Sequence, residues 1–151
     1  MKVLVLFESN TGNTQKVAEL IGGAAQAAGA DVTVRSVREL DLHELSTADV
    51  VFLGTWVDGL ILFGHRPGGG WRFAGLPALD NKRVALFCSY AVHGSDAMLK
   101  KFTKMLRRKG AVVVARQGFK RGKLDDGIRQ FVADTFAEVP VAGEAVSDRD
   151  Y

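Results

Sequence analysis

Five short runs in this sequence are apolar on both faces at once: Lys2 to Phe7, Val32 to Val37, Val50 to Gly54, Val84 to Cys88 and Ala111 to Ala115. A strand with one face in water alternates apolar and polar residues. Runs rich in Val, Leu and Phe without that alternation belong to strands covered on both sides, as in a parallel sheet. Stretches with helical period lie between them. Thr14 to Ala28 places Val17, Leu20, Ile21, Ala24 and Ala28 on one stripe and stops at Gly29. Asp96 to Lys109 sets Met98, Leu99, Phe102, Met105 and Leu106 against Lys100, Lys101, Lys104, Arg107 and Arg108, and stops at Gly110. Leu124 to Phe136 repeats the theme, and Val37 to Leu45 holds a short helical turn. The order β-α-β-(α)-β-loop-β-α-β-α predicts a doubly wound, five-stranded parallel sheet in three α/β/α layers with right-handed crossovers.

The 151 residues suit one such domain, expected over residues 1–138 with a loosely held tail at 139–151. The apolar N-terminal run is too short to span a bilayer, Glu8 ends it, and no small-residue cleavage site follows. A single cysteine, Cys88, excludes an intrachain disulfide and leaves nothing for a Cys-rich zinc site. A reducing cytoplasmic setting, without membrane attachment, is expected. The net charge of +3 hides an asymmetry: residues 1–75 carry 6 basic against 8 acidic residues, residues 76–151 carry 14 against 9. Ten basic residues and no acidic one fall between Lys100 and Lys123. That stretch is either a solvated helix face with a basic loop or an attractor of acidic partners.

In an open α/β sheet, ligands bind beyond the carboxyl ends of the strands, at the point where strand order reverses. The segments to inspect therefore follow Phe7, Gly54 and Cys88. After Phe7 and Glu8 comes Ser9-Asn10-Thr11-Gly12-Asn13-Thr14, opening directly into a helix. Three hydroxyls, a glycine that lets the backbone approach a ligand, and unpaired N–H groups at a positive helix end make a phosphate site that needs no cation. An ordinary N-cap would need only one such residue. After the third strand, Thr55-Trp56-Val57-Asp58-Gly59 offers an indole face suited to stacking on a planar ring, unless Trp56 folds back onto the core. A glycine-rich loop from Gly64 to Trp71 follows.

These two segments resemble the flavodoxin family. SNTGNT fits its phosphate loop, [ST]-x-T-G-x-T, and T-W-x-x-G fits its first isoalloxazine loop. The resemblance covers residues 2 to about 136, and the uninterrupted strand Ala111 to Ala115 is similar to the short-chain form. It implies FMN as cofactor, with the phosphate on residues 9–14 and the ring on Trp56. The peptide joining Val57 to Asp58 is implied to rotate on reduction. The third segment departs from the family pattern: it reads Cys88-Ser89-Tyr90-Ala91-Val92-His93-Gly94, so Tyr90, His93 or neither stacks on the second flavin face.

The resemblance implies a flavodoxin-like electron carrier between redox partner proteins; a monomer that binds no nucleic acid is expected. The high isoelectric point, about 9.2, points to partners with an acidic docking surface, or else to docking through the acidic first half of the chain. Two alternatives remain at this stage. An FMN-dependent NAD(P)H or quinone-type reductase on the same fold would turn over with NAD(P)H alone, and a flavin-free binding module would purify colourless. Cys88 lacks the Arg six positions on that a tyrosine-phosphatase loop requires, and neither a P-loop nor a G-x-G-x-x-G is present.

Overall fold

The computed structural model describes residues 1–57 and 70–140. Asp58, Gly59, the loop residues 64–69 and nearly all of the expected tail lie outside them. Five parallel strands, β1 (Lys2–Phe7), β2 (Asp31–Ser36), β3 (Val50–Trp56), β4 (Arg83–Tyr90) and β5 (Val112–Lys120), form one sheet in the order β2-β1-β3-β4-β5. The helices are α1 (Asn13–Ala27), α2 (Leu42–Thr47), α3 (Gly70–Ala74), α4 (Ser95–Arg108) and α5 (Ile128–Ala137), with a 3₁₀ turn at Val37–Glu39.

The two faces of the sheet bury two separate cores, because side chains alternate along each strand. Val3, Val5, Val50, Phe52, Ala85 and Phe87 face α1 and α5, where Phe131 meets Phe52 and Phe119 edge-on at 5.6 and 5.7 Å. Leu4, Leu6, Val51, Leu53, Val84 and Leu86 face α2, α3 and α4, where Phe73 packs on Phe102 at 5.1 Å. A sheet covered on both faces is what the non-alternating runs demanded, and the doubly wound arrangement follows. No helix among the described residues is long and apolar enough to cross a membrane.

Several boundaries differ from those expected. Strands β3 and β4 run two residues further, to Trp56 and Tyr90, because Thr55 pairs with Cys88 and Trp56 with Ser89 across the sheet. Strand β5 runs on from Ala115 to Lys120, held by the lengthened β4, with a bulge opposite Val84 and Ala85. Helix α5 starts at Ile128 rather than Leu124, since Gly127 takes the N-cap with φ 84°. Residues 70 and 71 belong to α3, not to the glycine-rich loop. The expected turn between Val37 and Leu45 divides into the 3₁₀ turn and α2, whose N-cap Asp41 accepts from the N–H groups of His43 and Glu44. Those two bonds, that from Glu44 foremost, hold the Asp41 carboxyl below its ordinary range. Gly29 and Gly110 close α1 and α4 as anticipated, each in a Schellman pattern.

Candidate functional site

From β1 the chain crosses to β2 on one side of the sheet and then to β3 on the other, so strand order reverses between β1 and β3. The ends of β1, β3 and β4 are adjacent there and bonded to one another. The Glu8 N–H donates to the Gly54 carbonyl at 3.0 Å, and the Val57 N–H to the Ser89 carbonyl at 2.9 Å. The hydroxyls of Thr14 and Ser89, both fully buried, lie 2.9 Å apart. This contact ties the loop after β1 to the end of β4 across 75 positions of sequence.

Loop 9–14 has the geometry of an anion cradle. Gly12 caps α1 with φ 91° and ψ −9°, a left-handed conformation that costs other L-residues roughly 1–2 kcal/mol. Its N–H donates to Ser9 Oγ at 3.0 Å, and Asn13 Nδ2 donates to Thr11 Oγ1 at 3.0 Å. With Ser9 and Thr11 accepting these bonds, their own hydroxyl protons remain available. The first intrahelical bond is Lys16 N–H to the Gly12 carbonyl, so the N–H groups of Asn13, Thr14 and Gln15 have no acceptor among the described residues. The donor set fits a phosphate, and Asn10, Thr11 and Gly12 are exposed to meet one.

At the β3 end, Thr55 and Val57 are buried and Trp56 between them is half-buried, the last residue of the strand rather than part of a loop. Gly54 is required here, because a Cβ would overlap the Phe87 ring on the neighbouring strand. At the β4 end, Ser89 is buried and the half-buried Tyr90 ring lies over β5: a Cβ at Gly118 would come within 3.1 Å of Tyr90 Cε1 and 2.7 Å of Ser95 Cβ. Tyr90 thus packs toward the α4 side of the sheet. The following loop exposes His93, and Val92 is 70% exposed.

Three features escaped the sequence reading. Val92 is an apolar side chain held in the open beside the site, and single exposed valines leave no sequence signal. The second feature is Glu8, whose side chain is only 4% exposed. Its Oε1 accepts from Arg38 Nε and Nη2 at 3.3 and 3.0 Å and lies 3.4 Å from Arg72 Nε, while Oε2 is buried without a hydrogen-bond partner among the described residues. The third is consequent on it: through Arg72, α3 is fastened to the end of β1, directly beside loop 9–14. A carboxylate ending an apolar strand was a visible hint, but its arginine partners lie 30 and 64 positions away in sequence. Cys88 is buried, and burial, with a smaller contribution from the Asp96 charge, pushes its thiol up to about 12. It is a core residue rather than a nucleophile.

Fold and site together define a doubly wound α/β protein with a donor set that fits a phosphate at the switch point of its sheet. Comparison with known proteins makes that class specific. The flavodoxin family pattern matches residues 5–130. The chain is 30% identical to a flavodoxin of Clostridium beijerinckii over 110 residues, 73% of this chain and 79% of that one. It is also 30% identical to a flavodoxin of Megasphaera elsdenii over 112 residues, 74% and 81% of the two chains. Among solved structures, the two-electron reduced flavodoxin of Megasphaera elsdenii superposes with a TM-score of 0.76 at 24% identity, covering 91% of this chain and 99% of the other. Oxidised flavodoxin 1 of Bacillus cereus gives 0.69 at 21% identity, covering 93% and 100%. The chain belongs to the flavodoxin family. It is an FMN-binding electron carrier serving redox partner proteins, and neither the reductase nor the flavin-free alternative is favoured.

Proposed function

We propose that this chain holds FMN through the residues gathered at the ends of β1, β3 and β4. Ser9, Asn10, Thr11, Gly12 and Asn13 bind the phosphate with hydroxyls and helix N–H groups. Thr14 serves mainly as the tie to Ser89, because its hydroxyl is buried in that contact. Trp56 stacks on one face of the ring, and Thr55 and Val57 fix the strand end that presents it. Asp58 and Gly59, outside the described residues, are the remaining candidates for contact with the ring. The second face falls to the loop after β4, where Val92 and His93 stand exposed while the Tyr90 ring is packed beside Gly118. Bound FMN supplies the redox chemistry at its isoalloxazine ring. The protein binds the phosphate, orients the ring and shields it from water. The single domain spans residues 1–138 and works as a cytoplasmic monomer. Its partners present an acidic surface, complementary to the basic second half of the chain.

The observation that carries this reading is the phosphate cradle, which combines free helix N–H groups with two hydroxyls and contains no cation. Ser9→Ala with Thr11→Ala removes two charge-assisted hydrogen bonds, each worth about 1.5–3 kcal/mol. FMN affinity, read by fluorescence quenching, is expected to fall at least about 100-fold while riboflavin affinity barely changes. Equal losses for both flavins would remove the phosphate from this loop.

A further inference from the structure

The basic residues on α4 do not lie on a plain convex helix face. An open groove of about 570 Å³ is lined by Lys100, Thr103, Lys104, Arg107 and Arg108 of α4 together with Arg116 of β5. All five cations are exposed, and none has a carboxylate partner among the described residues. Arg116 is pinned in place, its Nη1 donating to Thr103 Oγ1 at 3.2 Å, which leaves most of its five N–H groups for a ligand. The two arginines in the last turn of α4 are favoured there by the helix dipole, but that explains neither Lys100 nor Arg116. The groove continues along Val113, Val114 and Ala115 of β5, an edge strand whose outer backbone groups have no neighbouring strand among the described residues.

The spacing of the cations specifies what fits. Lys100, Lys104 and Arg108 form one i, i+4, i+8 row, with steps of about 6 Å and a span of about 12 Å. In an extended peptide, side chains on one face recur every 6.6–6.8 Å or so, and three of them span about 13 Å. Carboxylates at alternate positions of an extended segment would therefore meet the row in register to within the reach of a lysine side chain. The segment's backbone would lie along the β5 edge, with Arg116 on its other side. Lys100 is the sixth residue of α4, about 7.5 Å along the helix from its first residue, which follows the loop after β4. A segment seated here would hold its owner beside the flavin site.

We infer that this groove is the docking site for an extended acidic segment of the redox partner protein, with carboxylates at alternate positions. The inference rests on the acidic-partner reading above and adds the conformation and spacing that the partner must present.

The test uses the FMN-loaded protein and a fluorescent peptide alternating aspartate with threonine. Controls are a peptide of the same composition with its aspartates in one block, and a single-stranded oligonucleotide of equal length. At low ionic strength, anisotropy should show the alternating peptide binding at least about 5-fold more tightly than the block peptide. Arg116→Ala and Lys104→Ala should each weaken it about 2- to 5-fold, the scale of one exposed ion pair. Lys100→Glu with Lys104→Glu and Arg108→Glu should weaken it more than 10-fold without changing FMN content. Equal affinity for the two peptides overturns the inference, as does tighter oligonucleotide binding with the same dependence on Arg116. Reoxidation of the reduced protein by ferricyanide, an anion, separates the two readings. If the triple variant is slowed while the peptides bind alike, the groove geometry fails and the acidic-partner reading stands. If neither differs, both fall.

Discussion

Removing either half of the Thr14–Ser89 contact tests whether loop 9–14 and the end of β4 are energetically one unit. Both hydroxyls are buried, Thr14 at 1% and Ser89 at 0% exposure, and each is the other's side-chain partner at 2.9 Å. Thr14→Val keeps the β-branched shape and leaves the Ser89 hydroxyl unsatisfied, and Ser89→Ala does the converse. Stranding one buried hydroxyl costs about 1–3 kcal/mol, whereas replacing both partners with apolar groups is close to neutral. With each single variant near 2 kcal/mol and the double near 1, the coupling comes to about 3 kcal/mol. Urea denaturation of the apoprotein measures all four corners of the cycle. In a domain of this size, each single variant should also lower Tm by roughly 4–8 °C. Additivity to within about 0.5 kcal/mol would show that the contact carries no energy and would refute the reasoning.

Three further outcomes are expected. Gly12→Ala should cost roughly 1–2 kcal/mol from its left-handed φ of 91°, visible in the urea midpoint, and should weaken FMN binding more than riboflavin binding. Around Glu8 the cost should be asymmetric. Arg38→Gln with Arg72→Gln strands a carboxylate that is 4% exposed and should cost about 3–5 kcal/mol, while Glu8→Gln should cost clearly less because Arg38 is 60% exposed and can turn to water. Equal costs in chemical denaturation would refute that account. For Cys88, the folded chain holds the thiol proton more tightly than the unfolded chain does. Its stabilisation is therefore complete below the unfolded thiol value of about 8.5 and declines as pH rises toward about 12. Between pH 9 and 11, stability should fall by about 1.4 kcal/mol per pH unit more than in Cys88→Ala, and the native thiol should resist alkylation at pH 8.

What the chain alone determined is whatever depends on near neighbours in sequence. Strand cores, helix stripes and the glycines ending α1 and α4 were readable because burial imposes a period of 2 or 3.6 and helix ends demand particular residues. The donor-rich loop 9–14 at the start of α1 was readable for the same reason, since its hydroxyls, Gly12 and the helix start lie within six consecutive residues. Tertiary structure decided everything that needs a partner from elsewhere. Strands β3, β4 and β5 are longer than their apolar runs because cross-strand pairing holds Trp56, Tyr90 and Lys120 that hydrophobicity would have released. Thr14 is a tie between segments because Ser89 happens to face it, and Glu8 is a clamp because Arg38 and Arg72 converge on it. Likewise, the run of positive charge became a groove of defined spacing only when β5 placed Arg116 opposite α4. Such contacts leave no trace in local composition, because their energy comes from two distant groups meeting in a low-dielectric interior or across one surface cleft.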